Sequence, residues 1–185
     1  FRALPAEALF SAWNAARKEV KGAVMTCSPV IDGRLVISEP VAHDIPYMAG
    51  TTSEDMMPPI LLSMARTWCA EREKPSFCWH FNRKLPGDHH GAWHSSDLWY
   101  WFGTLSNCWR PMEEKDRNLS EEMVRYLCNF AKNGDPNQGE EVSRWAGAQV
   151  SGKQVLCLGE KATAMRKPSG LKLVYTMLTN KAVGE

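Results

Sequence analysis

A chain of 185 residues, 44% hydrophobic and 23% charged, holds enough apolar material for a globular core and does not have a disordered composition. Its net charge of +1 excludes the electrostatic footprint of a nucleic-acid binder, and no run of Lys or Arg points to a membrane surface. No apolar stretch is long enough to cross a bilayer.

Pro5 to Lys21 reads as an amphipathic helix, because Leu9, Trp13 and Ala16 recur at helical spacing. Pro5 suits its first turn and Gly22 its stop. Pro29 to Val36 predicts a short hairpin turning at Asp32-Gly33. Ile45 to Ala49, bounded by Pro46 and Gly50, predicts a buried strand of a parallel sheet, followed by the polar loop Thr51 to Asp55. Met56 to Trp68 is helical in character, with Pro58 and Pro59 tolerated near its start. Phe77 to Phe81 predicts a second buried strand, and Asn82 to Asp97 a long polar loop. Asn118 to Ala131 is the clearest helix: Ser120 is the expected N-cap, and Met123, Tyr126, Leu127 and Phe130 line one face. Asn133-Gly134-Asp135-Pro136-Asn137 should end it. Gln154 to Leu158 and the alternating Leu171 to Leu178 read as late strands, the second at an edge.

Five of the eight tryptophans, Trp79, Trp93, Trp99, Trp101 and Trp109, crowd one segment, as a core or the wall of an apolar pocket would require. The six cysteines (Cys27, Cys69, Cys78, Cys108, Cys128 and Cys157) form no CxxC pair and mostly sit in apolar runs. They read as buried thiols of a reducing compartment, so a cytoplasmic location is expected. The chain starts at Phe1 without a signal pattern, which suggests a processed end or a start partway through a longer protein.

Strand, polar loop, helix, strand and polar loop in that order predict an α/β layered fold, whose chemistry belongs in loops at the carboxyl ends of strands. One such loop is Ser53-Glu54-Asp55; the other runs from His89 to Asp97. A serine hydroxyl is a poor nucleophile at neutral pH. An imidazole must take its proton, and a carboxylate must fix the imidazole tautomer. In α/β-hydrolases these groups come in the order Ser, acid, His, and the two loops match the last two members.

The segment Gly91-Ala92-Trp93-His94-Ser95-Ser96-Asp97 through Phe102-Gly103-Thr104-Leu105 resembles the histidine motif of type-B carboxylesterases, the cholinesterase and para-nitrobenzyl esterase family. Leu119-Ser120-Glu121-Glu122-Met123 and Asn129-Phe130-Ala131-Lys132-Asn133-Gly134-Asp135-Pro136-Asn137 resemble that family's following helix and turn. Tyr47-Met48-Ala49-Gly50-Thr51-Thr52-Ser53-Glu54-Asp55 resembles the strand and turn that deliver its acid. The resemblance implies the C-terminal part of a single α/β-hydrolase domain over residues 1–185: a mostly parallel sheet flanked by helices, incomplete on its own.

The resemblance also implies ester hydrolysis with His94 as general base and then general acid. The family acid is the Glu of Asp-Glu-Gly. Aligned from Gly50, Asp55 takes the Glu position and Met56 the Gly position, with Glu54 as the alternative acid. Asp97 stands where an ion pair or hydrogen bond would order the histidine loop, and Ser95 and Ser96 are possible supporting donors. Trp93, Trp99 and Trp101 are candidate walls of a substrate pocket.

No Gly-x-Ser-x-Gly is present; Pro168-Ser169-Gly170 lacks the first glycine and follows the histidine. The oxyanion-hole glycine run is absent too. The serine is therefore expected from an N-terminal segment of the same protein or a complementary chain, and these residues alone are expected to be inactive. The substrate would be a small-molecule ester, with no cofactor. Two rival readings stand beside this one. Asp88, His89, His90, His94 and Asp97 could bind a metal, although Pro86, Gly87 and Gly91 oppose a helix there. The chain could also be a non-catalytic interaction domain of the same family. For His89 and His90 the simpler reading is solvated loop residues.

Overall fold

A computed structural model describes residues 3–19, 32–34, 45–139 and 142–182. The chain divides into two units, Phe1–Val41 and Ala42–Glu185.

In the first unit, helix α1 spans Ala6–Glu19 and starts directly after Pro5, as expected. Its apolar face, with Leu9, Phe10 and Trp13, is exposed. The expected stop at Gly22 lies outside the described residues, as does most of the hairpin from Pro29 to Val36. Within residues 32–34 the Arg34 N–H donates to Asp32 Oδ1 at 2.9 Å.

The second unit is built on a four-stranded sheet in the order β1-β2-β3-β4. Strand β1 is Met48–Thr52, β2 Phe77–Phe81, β3 Val155–Leu158 and β4 Ala164–Arg166. The first three strands run parallel, and β4 is antiparallel to β3. The mostly parallel, helix-flanked sheet expected from the sequence is thus present. Strand β1 begins later than the apolar run suggested, after Pro46, which has no N–H to give to a ladder. Strand β2 falls on the expected residues because both its faces are covered, which makes it an unbroken apolar run.

On one face, Phe77, Phe81, Leu156 and Leu158 pack with Tyr100, Met123, Tyr126 and Trp145. Edge-on aromatic pairs organise this layer: Phe77–Trp145 at 5.7 Å, Tyr126–Trp145 at 5.3 Å and Trp79–Trp101 at 5.0 Å between centroids. Such pairs add about 0.5–1.5 kcal/mol each beyond simple burial. On the other face, Cys78, Val155 and Cys157 meet Leu62 and Cys69 of helix α2 (Pro58–Ala70) and Leu173 of helix α6 (Gly170–Ala182). Pro58 and Pro59 occupy the first helical positions of α2, where a missing N–H costs nothing.

Between β2 and β3 come α3 (Leu98–Trp101), a 3₁₀ turn (Leu105–Asn107), α4 (Glu114–Asn133) and α5 (Ala148–Ser151). Helix α4 starts before the expected Ser120 cap. Asp116 Oδ2 accepts the Glu113 N–H at 2.9 Å in a capping box, so the polar first turn precedes the apolar stripe. Ser120 lies inside the helix and donates its hydroxyl proton to the Tyr100 carbonyl at 2.9 Å. Gly134, at φ 70°, ends α4 as expected.

Leu171 to Leu178 is not a strand; it belongs to α6. The alternation of Leu171, Leu173 and Tyr175 misleads because only Leu173 is buried, facing α2, while Leu171 and Tyr175 face solvent. Ser169 caps the helix by accepting the Lys172 N–H at 3.3 Å. The edge position falls to the short β4 instead. Among the cysteines, Cys69, Cys78 and Cys157 are buried as expected, but Cys108 is half-buried and Cys128 is exposed on α4. Cys27 lies outside the described residues.

Candidate active site

Backbone pairing brings the two polar loops together. Beyond β1 the Ser53 N–H still donates to the Phe81 carbonyl at 2.9 Å. The chain then crosses to the second loop, where Glu54 forms a parallel bridge with Trp93 and its N–H donates to the Ala92 carbonyl at 3.0 Å. The Glu54 side chain adds a further tie, its Oε2 accepting the Ala92 N–H at 2.9 Å; it also accepts the Ser53 hydroxyl. Gly91 permits this approach: a Cβ there would lie 2.9 Å from Glu54 Cδ, and its φ of 70° suits glycine.

The stitch sets Asp55 beside His94. Asp55 Oδ1 lies 2.9 Å from His94 Nδ1 and also accepts the Met56 N–H at 2.8 Å. Oδ2 accepts the Thr51 hydroxyl at 3.2 Å. A carboxylate oxygen accepts, so Nδ1 is the donor of this pair and Nε2 is the nitrogen not engaged with Asp55. The Asp55 side chain is 8% exposed and that of His94 66%, so the pair is rooted in the protein and open at its far end. Of the two candidate acids, the structure sets Asp55 against the imidazole and turns Glu54 into the loop junction.

His94 sits in a four-residue turn closed by the Ser96 N–H on the Trp93 carbonyl at 3.0 Å. Ser95, at φ 66°, occupies the third position, where a type II turn demands a positive φ. A non-glycine residue there stores about 1–2 kcal/mol of strain. Neither Ser95 nor Ser96 acts as a side-chain donor to the pair. Ser96 is fully buried, and its hydroxyl has no partner among the described residues.

Among the described residues Asp97 forms no ion pair: its Oδ2 accepts the Trp101 indole N–H at 3.2 Å, and its backbone carbonyl starts α3. Burial pushes its carboxyl above the usual range, against the pull of the Trp101 donor.

The three candidate pocket tryptophans separate. Trp101 is buried against Trp79, and Trp99 packs on the core. Trp93 is partly exposed and lines an open cavity of about 730 Å³ with Glu54, His89 and Arg110; His94 is not among its lining residues. The five residues of the metal alternative also disperse: Asp88 pairs with Arg110, His94 with Asp55 and Asp97 with Trp101, while His89 and His90 are exposed. Among the described residues no group of three or more His, Cys, Asp or Glu could hold a metal ion.

Sequence reasoning missed the clamp behind the histidine loop. Arg83, just after β2, grips Asp116 of α4 through Nε at 2.7 Å and Nη2 at 3.2 Å, and reaches Glu160 through Nη1 at 3.1 Å. The Tyr100 hydroxyl donates to Asp116 Oδ1 at 2.7 Å. Burial alone would raise the Asp116 carboxyl, but the Arg83, Tyr100 and Glu113 donors hold it below the usual range. These partners lie far apart in sequence, and no local signal joins them.

The carboxylesterase family model matches residues 59–174. A 49-residue stretch is 45% identical to the bile salt-activated lipase of Rattus norvegicus, covering 26% of this chain and 8% of that protein. A 50-residue stretch is 42% identical to the Homo sapiens bile salt-activated lipase, covering 27% of this chain and 7% of that protein. Among solved structures, a PNB esterase aligns with a TM-score of 0.52 at 18% identity, over 65% of this chain and 26% of its own. That likeness shows the fold, an α/β-hydrolase sheet flanked by helices. The matched regions span under a tenth of the lipases' length and about a quarter of the esterase's.

Proposed function

Because this chain belongs to the carboxylesterase family, we propose that it takes part in hydrolysing carboxylic esters through a serine–histidine–aspartate mechanism. His94 is the general base and Asp55 its partner, and the serine comes from a segment outside these 185 residues. The observation that supports this most is the 2.9 Å contact between His94 Nδ1 and Asp55 Oδ1, made by an imidazole that is otherwise 66% exposed.

In this mechanism Nε2 takes the proton of the serine hydroxyl as its oxygen attacks the ester carbonyl. Asp55 stabilises the resulting imidazolium and keeps the ring from turning. Nε2–H then protonates the departing alcohol oxygen. A water, deprotonated by the same nitrogen, cleaves the acyl-enzyme. Glu54 holds the acid loop to the histidine loop and transfers no proton. A small-molecule ester is the substrate, and residues 1–185 by themselves do not hydrolyse it.

A fluorophosphonate tests the division of labour in the full-length protein, since it captures only an activated serine, with loss of fluoride. Peptide mapping should find one labelled serine, outside residues 1–185. A label on any serine within them would overturn the proposal.

A further inference from the structure

A second cavity, of about 250 Å³, lies where the carboxyl ends of β1 and β2 meet the start of α6, and it is lined by four cations: Lys161, Arg166, Lys167 and Lys172. None of the four forms an ion pair among the described residues. The one acid in the lining, Glu160, is already committed to Arg83 at 3.1 Å and to the Lys84 N–H at 2.8 Å. In a chain of net charge +1, this is a local concentration of uncompensated positive charge.

His80 of β2 also lines the cavity. It is 4% exposed, and its buried Nδ1 has no hydrogen-bond partner among the described residues. Folded proteins rarely leave such a nitrogen unsatisfied without a reason. The thirteen-residue α6 begins at the cavity, with Pro168 and Ser169 in the wall, and adds the positive end of its dipole.

We propose that this cavity binds the phosphoryl group of a small molecule, held by Lys172 and Arg166, with His80 in its inner wall. A phosphoryl dianion matches several unpaired cations better than a single carboxylate does. Burial, and then the Lys172 charge, depress the His80 pKa to about 4, so the ring stays neutral, and both residues line the cavity. The site is independent of the ester chemistry. Free phosphate and a phosphate monoester share the chemistry that would be recognised.

Calorimetric titration of the full-length protein at fixed ionic strength tests this with inorganic phosphate, phenyl phosphate and acetate. Saturable binding of at least one phosphate compound is expected, with acetate weaker. Tighter binding of phenyl phosphate would identify a monoester site, and tighter binding of inorganic phosphate a site for the free ion. Lys172→Ala combined with Arg166→Ala should weaken binding at least tenfold, and His80→Gln should weaken it by less. Lys153→Ala, an exposed lysine outside the cavity, should leave it unchanged. No saturation by concentrations of about 10 mM, equal binding of acetate, or an unaffected double variant would each overturn the proposal.

Discussion

Two carboxylates in this molecule are buried, yet their partners differ. Asp116 accepts from both arms of Arg83, from the Tyr100 hydroxyl and from the Glu113 N–H, and the Arg83–Asp116 side chains are 7% and 0% exposed. Asp55 accepts from Thr51, Met56 and His94, but its imidazole partner is 66% exposed. The first pair is buried at both ends of its contact and ties the start of the histidine loop to α3 and α4. The second has an anchored end and a free end. A buried acid gripped by a buried cation serves the fold; a buried acid holding an exposed base leaves a nitrogen available for chemistry.

That contrast can be broken from either side. The largest effect is expected from His94→Gln in the full-length protein: kcat for an activated ester should fall about 10⁴- to 10⁶-fold. Urea unfolding should barely move, because the ring is mostly outside the core. Asp116→Ala should do the reverse. It leaves the buried Arg83 with only the half-exposed Glu160 and should cost about 3–5 kcal/mol in unfolding free energy, with the activity per folded molecule kept within tenfold. If Asp116→Ala abolished activity without loss of stability, the closed pair would have to be counted as part of the active site.

A smaller effect, dependent on pH, sharpens the comparison. His80 is buried neutral, with its pKa held at about 4 against an ordinary 6.5. As pH falls below 6.5 the unfolded chain takes up a proton there, and the folded chain does not until about 4. Stability is therefore full above 6.5 and drains away between 6.5 and 4. The Asp116 carboxyl, held below its ordinary 3.8, works lower: its contribution persists above 3.8 and is lost only as pH falls further. Unfolding free energy measured from pH 7 to 4.5 should decline in the native protein and decline less in His80→Gln. Equal slopes would show that His80 does not titrate in this way.

The parts of this arrangement that were legible in the sequence are local ones. Phe77 to Phe81 is apolar throughout because both faces of the central strand are covered. The two loops carrying Asp55 and His94 were visible as polar stretches after strands, and family resemblance ranked Asp55 above Glu54. The start of α4 was hidden because its cap, Glu113 with Asp116, precedes the first apolar residue of the stripe. Helix α6 was mistaken for a strand because Leu171 and Tyr175 mimic alternation without being buried. That Trp101 is buried against Trp79 while Trp93 is exposed is likewise not written in composition, which cannot say which indole turns inward. The grip of Arg83 on Asp116 spans 33 residues and follows from the packing of α4 on the sheet, which no local pattern encodes.

The central claim is that Asp55, and not its neighbour Glu54, holds the imidazole for proton transfer. The direct measurement is kcat/KM for an activated ester in full-length Asp55→Asn and Glu54→Gln proteins, with folding checked by thermal unfolding. Asp55→Asn should lose about 10⁴-fold in kcat by allowing the wrong imidazole tautomer. Glu54→Gln keeps an acceptor for the Ala92 N–H and should stay within tenfold of the native protein. The opposite ranking, with Glu54→Gln nearly inactive and Asp55→Asn nearly native, would contradict the account.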